Sequence, residues 1–258
     1  MTLSQFFSLV DIQARMALKA DASRYFLGYI WWVLEPLLYV AVFYVVFELV
    51  LDSGRGDFLV FLICGKLPFI WFSKSVNHAS GSITANAGLI GKIHVPKTLF
   101  PMGVVQEGLY KQLSVFVLLF IVVLSTGYSI TSAWVWLIPV ITVQYMMIVA
   151  CALIAAVLVC FVRDFSMFIS LAMIFLMFTS GIFWDPRTLS DPSLTETIFL
   201  INPLAFILDA YRQILMNGIP PSAAHLSVIA LGSAILIVAT VRLMGRWSRL
   251  LALKALTA

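Results

Sequence analysis

The sequence predicts an all-α membrane domain, and three properties of the chain support this prediction. The 258 residues are 62% hydrophobic and only 11% charged, and the mean hydropathy is +1.04. Soluble domains carry about 25% charged residues, so this composition indicates an integral membrane protein. The apolar runs are long and continuous, which favours helices over the short alternating strands of a membrane barrel.

Six transmembrane helices are predicted, and we expect residues 1–258 to form one membrane domain. The predicted spans are residues 31–51, 58–76, 103–126, 134–162, 165–184 and 226–244. Residues 1–24 are too polar to cross a membrane, but they separate polar from apolar residues at helical spacing. This pattern predicts an amphipathic helix lying in the membrane interface. Short re-entrant helices are expected between the fifth and sixth spans, because the run at 198–208 is apolar but too short to cross.

The segment 24–36 is predicted to connect the interface helix to the first span. It contains four amphipathic aromatic residues: Tyr25, Tyr29, Trp31 and Trp32. Such side chains settle where lipid headgroups meet hydrocarbon. Gly28 permits a sharp change of direction, and Pro36 fits the first turns of the next helix, where a proline loses no backbone hydrogen bond.

The placement of basic residues predicts the orientation of the termini. Six spans put both termini on one side of the membrane. That side carries Arg15, Lys19, Arg24, Lys92, Lys97, Arg163, Arg242, Arg246, Arg249 and Lys254. The opposite side has a few arginines among more numerous acidic residues. By the positive-inside rule, we expect both termini in the cytoplasm.

Motifs for nucleotide binding and common catalysis are missing from the sequence. It contains no G-x-x-x-x-G-K-[ST] phosphate-binding loop, no G-x-S-x-G and no H-E-x-x-H, and its Cys and His residues are not spaced as metal ligands. Three ionisable residues, Glu48, Lys66 and Lys74, are predicted at membrane depth. Glu48 and Lys66 are near enough to form an ion pair, because a tight turn joins their two spans. The simpler interpretation of these charges is helix association or snorkelling, and the alternative is a proton relay.

Aromatic residues form one helical stripe in each of two predicted spans. The stripe in the first span contains Trp32, Pro36, Tyr39, Phe43 and Phe47, and the stripe in the fifth contains Phe168, Leu171, Phe175 and Phe178. Such stripes commonly face lipid or neighbouring helices. They would also suit a conduit for sugar, because flat aromatic faces contact the CH-rich faces of pyranose rings without a buried charge.

Four motifs in chain order resemble those of the membrane subunits of ABC-2 type polysaccharide exporters. They are the pattern of Arg24, Leu27, Gly28, Trp31 or Trp32 and Pro36; A-N-A-G-L-I-G-K-I-H-V-P-K-T-L-F-P at 85–101; F-V-R-D at 161–164; and N-P-L-A-F-I-L-D-A-Y-R at 202–212. The branch most similar to this chain is the O-antigen permeases, and the capsule and teichoic acid exporters are near relatives.

The resemblance implies a transport subunit of the bacterial inner membrane without a nucleotide site or cofactor of its own. Members of this family work as a dimer of permeases with two copies of a separate ATPase, which binds ATP and Mg²⁺. The implied partners are therefore this ATPase, a second copy of the chain, membrane lipid and a lipid-linked polysaccharide, and no nucleic acid.

The resemblance also assigns residues to four roles. The substrate channel is expected at Trp32, Tyr39, Phe43, Phe47, Phe168, Phe175 and Phe178, and the cytoplasmic entrance at Arg24, Tyr25, Gly28 and Tyr29. Coupling to the ATPase maps to residues 80–92, with Asn86, Gly88, Leu89 and Lys92. The periplasmic gate is expected at Phe183, Trp184, Asn202 and Pro203.

The implied function is ATP-driven export of a lipid-linked polysaccharide of the O-antigen type, and other functions are possible on the sequence alone. One is a capsule or teichoic acid permease, and another is an ABC-2 exporter of a small hydrophobic drug or lipid. A more remote alternative is a membrane enzyme that acts on polyprenol-linked sugars. Such an enzyme needs an acid or base at the interface, where the sequence offers Asp21, Glu35 and Glu107.

Overall fold

The computed structural model describes residues 2–24, 26–46, 57–92 and 95–257, without the side chains of Phe43 and Thr257. Within these ranges the chain forms helices and no strand, which confirms the predicted all-α class. The helices are α1 (Leu3–Arg24), α2 (Trp31–Tyr44), α3 (Phe58–Ser80), α4 (Ser82–Ala85), α5 (Ala87–Ile90), α6 (Leu99–Ser125), α7 (Leu137–Phe161), α8 (Phe165–Thr179), α9 (Pro192–Ile201), α10 (Pro203–Arg212), α11 (Ala223–Arg246) and α12 (Ser248–Thr257).

Four helical stretches are long and apolar enough to cross a membrane. They are α3, α6, α11 and Ser132–Phe161, in which a short 3₁₀ turn precedes α7. Two pairs of helices, α1 with α2 and α9 with α10, are bent at a short break between them. If each pair counts as one span, the number of spans rises to as many as six. Helix α8 is apolar but shorter. The protein is therefore a multi-pass membrane protein, and the individual span boundaries stay predictions.

Helices α3 and α7 form the centre of the bundle. In their most apolar stretches 78% and 72% of the residues are buried, against 28% in α6 and 17% in α11. Helix α3 packs on α6 and α7, and α7 packs on α11. Because the exposed side chains of α6 and α11 are also apolar, these two helices present their outer faces to lipid.

The predicted turn at Gly28 is present between α1 and α2. Gly28 has a φ of +51°, a conformation that glycine adopts without a steric penalty, and the two helices meet at an angle of 103°. Helix α1 packs along α6, where the Tyr110 hydroxyl donates a hydrogen bond to Asp11. That bond holds the pKa of the Asp11 carboxyl below its usual value.

The segment between α8 and α11 contains the short helices α9 and α10, and their re-entrant position in the membrane stays a prediction. The apolar run at 198–208 is not one helix, however, because it breaks at Asn202 and the chain bends by 115°. The Asn202 side chain accepts a hydrogen bond from the Ala205 amide, and Pro203 occupies the first turn of α10. Both features are typical of a helix start.

The C-terminal helix α12 lies against α4, α5 and α7. Leu251 and Ala255 are buried in this contact, and the Cys160 thiol donates to the Leu251 carbonyl at 3.5 Å. We call this side of the bundle, where α3, α7 and α11 end, the α4–α5 end. The opposite side, where α8 ends and α10 begins, is the α9–α10 end.

Candidate functional site

A groove of about 330 Å³ lies between α2 and α8, with α3 as its floor; we call it the polar groove after the polar side chains in its otherwise apolar wall. Its polar lining consists of Tyr39, Lys66, Ser73, Lys74, Asn77 and Ser170. Four of these residues belong to α3, and their spacing brings them to one face of that helix. They are Lys66, Ser73, Lys74 and Asn77. Among the described lining residues none is acidic, and the rest of the lining is apolar, namely Phe69, Ile70, Met173, Ile174 and Met177. The groove therefore offers hydroxyl, amide and ammonium groups within a largely apolar wall.

The polar groups of the groove are held by contacts between α3 and α8. The Ser170 hydroxyl donates to the Asn77 side-chain oxygen at 3.1 Å. The Lys66 ammonium lies 2.9 Å from the Met177 sulfur and 5.9 Å from the centre of the Phe183 ring. Glu48, which the sequence places near Lys66, lies outside the described residues.

The predicted channel residues are divided among different surfaces of one chain. Tyr39 lines the polar groove, whereas Phe168, Phe175 and Phe178 lie on the exposed face of α8. Phe175 also lines an apolar cavity of about 750 Å³ beside α9 and α11. The side chain of Phe43, and Phe47 as a whole, lie outside the described residues.

A second cavity, of about 310 Å³, lies between α1, α2, α3 and α6; we call it the interfacial cavity. Lys111 of α6 contacts Asp21 of α1 at 2.6 Å and Glu107 at 2.8 Å, and its ammonium lies 5.5 Å from the centre of the Trp32 ring. The Trp32 indole N–H donates to Asp21 at 3.2 Å. The sequence predicts only the Glu107–Lys111 pair, because the contact with Asp21 depends on how α1 packs on α6.

The interfacial cavity and the polar groove are neighbours, since Ile70 and Lys74 line both. Lys74 forms an ion pair of 2.5 Å with Glu35 of α2, which lines the interfacial cavity alone. This ion pair therefore links a residue shared by both spaces to the wall of the interfacial cavity. It also gives Lys74 a partner that the sequence did not predict.

The predicted entrance residues lie beside the interfacial cavity. Arg24 ends α1 in an exposed position, and Gly28 forms the turn into α2. The Tyr29 and Trp32 rings pack edge to face, and their centres lie 4.8 Å apart. Tyr25 lies outside the described residues.

The predicted gate residues come together at the α9–α10 end. The Trp184 indole donates to the Phe178 carbonyl at 2.9 Å, and the Phe178 and Phe183 rings lie 5.6 Å apart. The Asn202 amide donates to the Ser180 hydroxyl at 2.9 Å, which links the α9–α10 bend, with Pro203 next to it, to the end of α8.

A buried arginine that the sequence did not single out attaches α10 to this end. The Arg212 guanidinium donates to the carbonyls of Phe61, Gly181 and Ile182 at 3.2, 2.7 and 3.2 Å. It lies 3.6 Å from the centre of the Phe61 ring, a favourable cation–π position. The position of Arg212 next to an apolar stretch was the only sign in the sequence that this arginine is buried. Its hydrogen-bond partners could not be predicted, because they lie far away in the sequence.

Replacing Gly65 with alanine is expected to destabilise this attachment. A Cβ at Gly65 would overlap the Arg212 guanidinium, so we expect a loss of about 1–3 kcal/mol, measured by thermal unfolding in detergent. Gly232→Ala is the matched control, because a Cβ at that position of α11 meets no atom within 4 Å. Equal unfolding temperatures for the two variants would contradict this role of Gly65.

The predicted coupling residues lie at the α4–α5 end. The Asn86 amide donates to the Ser82 carbonyl at 2.8 Å and links α4 to α5. Gly88, Leu89 and Lys92 are exposed. Because the neighbouring α12 covers the inner side of α5, these three residues are free to contact another protein.

Comparison with known proteins identifies the family. Residues 92–216 match the ABC-2 type transporter family. The O-antigen export system permease protein RfbA of Klebsiella pneumoniae is 32% identical over 220 residues, which cover 84% of this chain and 83% of that protein. A protein of the same name from Myxococcus xanthus is 28% identical over 237 residues, covering 91% and 90%.

A further relative is the polysialic acid transport protein KpsM of Escherichia coli. It is 26% identical over 222 residues, which cover 83% of this chain and 83% of that protein. The family match, the identity to a permease over most of both chains and the multi-pass helical fold lead to one conclusion. This chain belongs to the ABC-2 type transporter family and is a membrane transport subunit rather than an enzyme.

Proposed function

We propose that this chain is the permease of an ATP-driven exporter that carries a lipid-linked polysaccharide of the O-antigen type across the bacterial inner membrane. The observation that carries the proposal is the polar groove between α2 and α8, in a chain whose relatives include O-antigen export permeases. The similarity to a polysialic acid transport protein supports capsule export as the second candidate.

The chemistry of the groove suits a sugar chain. Sugars bring many hydroxyl groups, which need both donors and acceptors, and Ser73, Asn77 and Ser170 supply both kinds. Tyr39 adds an aromatic face with a polar end. The ammonium group of Lys66 favours an acidic or phosphorylated cargo over a purely apolar one, whereas the charge of Lys74 is already balanced by Glu35.

A second copy of the chain would close the groove. The faces of α2 and α8 on either side of it are apolar and exposed, with Leu38 and Val42 on α2 and Phe168 and Leu171 on α8. In a dimer, the exposed aromatic stripe of α8 would face the α2 helix of the other copy. The channel residues that are separate in one chain would then lie around one conduit.

Tyr39→Leu is expected to reduce export of the polysaccharide about tenfold, because it removes the phenol hydroxyl and the aromatic face from the groove. The rate is measured as polysaccharide appearing at the cell surface. Tyr44→Leu is the control, since Tyr44 lies on the same helix and undergoes the same change but does not line the groove. An unchanged rate for Tyr39→Leu would favour export of a small hydrophobic molecule.

The family membership implies an ABC ATPase partner. In our proposal two copies of that partner bind ATP and Mg²⁺ and contact the α4–α5 end of two permeases. This end also carries exposed basic residues, namely Lys92, Arg163, Arg242, Arg246, Arg249 and Lys254. By the positive-inside rule it faces the cytoplasm, where ATP is available.

Leu89→Asp is expected to abolish co-purification of the ATPase, because a carboxylate would enter an apolar contact without a partner. The measurement is the amount of ATPase recovered with tagged permease. Leu194→Asp is the matched control: Leu194 is 52% exposed and Leu89 44%, but Leu194 lies in α9 at the other end. Equal recovery with both variants would place the ATPase contact elsewhere.

Affinity purification from native membranes tests the proposal as a whole. We expect tagged permease to bring down a chain with a phosphate-binding loop, together with lipid-linked glycan detected by mass spectrometry. The ATPase without glycan would favour a small-molecule exporter. Absence of any ATPase under conditions that preserve other such complexes would overturn the proposal.

A further inference from the structure

We propose that the interfacial cavity binds one neutral sugar unit of the cargo before it reaches the polar groove. This inference rests on the proposed function, because the exported glycan supplies the sugar. The cavity lies within one chain, where α1 and α2 meet α3 and α6, and so is separate from the conduit that two copies would enclose.

Two side chains that line this cavity carry buried N–H groups in need of an acceptor. The Trp71 indole N–H and the Gln112 amide have no hydrogen-bond partner among the described residues. Leaving a buried donor unsatisfied costs about 1–3 kcal/mol. Because both side chains belong to the lining of the cavity, a ligand with oxygen acceptors is the kind that would satisfy these donors, so the cavity favours a ligand that is rich in oxygen.

The charges around the cavity favour a neutral ligand over an ionic one. Lys74 is already paired with Glu35 at 2.5 Å, and Lys111 with Asp21 at 2.6 Å and with Glu107. A phosphate would have to compete with these carboxylates for the two lysines. Sugar hydroxyls can instead donate to the carboxylate oxygens while the ion pairs stay intact.

The size and walls of the cavity also fit a sugar. Its volume of about 310 Å³ is at the lower end of the range for small-molecule sites. Trp31, Trp32 and Trp71 all line it, and indole rings provide flat apolar surface for the CH face of a pyranose. Carboxylates, amide donors and indoles therefore surround the same space.

The position of the cavity explains why such binding would serve export. It shares Ile70 and Lys74 with the polar groove, and Lys74 is paired with Glu35 in the wall of the cavity. A sugar held here lies beside the turn at Gly28, at the expected level of the lipid headgroups. The site would thus hold the cargo next to the groove.

The test is sugar binding by the full-length permease in lipid nanodiscs, measured by saturation-transfer NMR with the methyl glycosides of mannose, galactose and N-acetylglucosamine. We expect at least one glycoside to bind, and Trp71→Phe and Gln112→Leu each to weaken its binding about tenfold, the equivalent of one hydrogen bond. Trp134→Phe should bind like the wild type, because the Trp134 N–H is also buried without a described partner but lies outside the cavity.

The inference is overturned if the wild type binds none of these glycosides, or if both cavity variants bind as tightly as the wild type. It is equally overturned if inorganic pyrophosphate displaces the glycoside at a lower concentration than a competing sugar, since the site would then prefer an anion. These results do not depend on the ATPase. Failure here, with ATPase and glycan still recovered in the affinity purification, would leave the proposed export function standing.

Discussion

Replacing Arg212 with methionine is expected to lower the free energy of unfolding by about 3 kcal/mol. Arg212 is only 4% exposed, and its guanidinium satisfies three backbone carbonyls from two separate segments, Phe61 on α3 and Gly181 and Ile182 after α8. Methionine fills similar volume but donates no hydrogen bond. Three buried acceptors would lose a charged donor, each worth about 1 kcal/mol or more.

Thermal unfolding of purified protein in detergent measures this effect, with Arg242→Met as the control. Arg242 lies on α11 and is exposed, so its replacement should change the unfolding temperature little. We also expect Arg212→Lys to rescue the protein only in part, because one ammonium cannot reproduce the planar set of donors. A wild-type unfolding temperature for Arg212→Met would contradict the role of this arginine in attaching α10.

Replacing Lys111 with methionine is expected to destabilise the packing of α1 on α6 by about 2 kcal/mol. Lys111 joins Asp21 of α1 to Glu107 of α6, and the three side chains are less than one third exposed. Without the ammonium, two carboxylates remain close together in a partly buried site. Their repulsion and lost solvation oppose the packing of the interface helix.

A double-mutant cycle with Asp21→Asn separates the Lys111–Asp21 interaction from other effects. We expect the double variant to be more stable than the sum of the two single effects predicts, because the amide relieves the carboxylate repulsion. Lys19→Met, an exposed lysine on α1, is the control. Strict additivity in the cycle would mean that the 2.6 Å contact contributes nothing to stability.

The sequence predicts much of the fold because membrane helices depend on local properties. Long apolar runs mark α3, α6, α7 and α11, and the change of direction at Gly28 follows from the conformational freedom of glycine. The break at Asn202 was harder to place, since the run at 198–208 is continuously apolar up to that residue. There, the capping side chain and the following proline decide where one helix stops and the next begins.

The candidate site is less predictable because its contacts join residues distant in the sequence. Tyr39 was expected in the channel and lines the groove, but helical spacing could not show that α8 presents its aromatic stripe to the outside. The ion pair of Glu35 with Lys74 and the contacts of Arg212 depend on tertiary packing alone. The spacing of residues in the sequence predicts which side chains share one face of a helix, but it does not predict which other helix packs against that face.

The central claim, export of a lipid-linked polysaccharide through this permease, is tested most directly in cells that lack it. The measurement is the amount of glycan at the cell surface and of lipid-linked glycan retained inside, with and without a plasmid carrying the wild-type chain. We predict that loss of the permease removes the surface glycan, that lipid-linked glycan accumulates inside, and that the plasmid reverses both changes. Normal surface glycan without the permease, and no accumulation inside, would contradict the account.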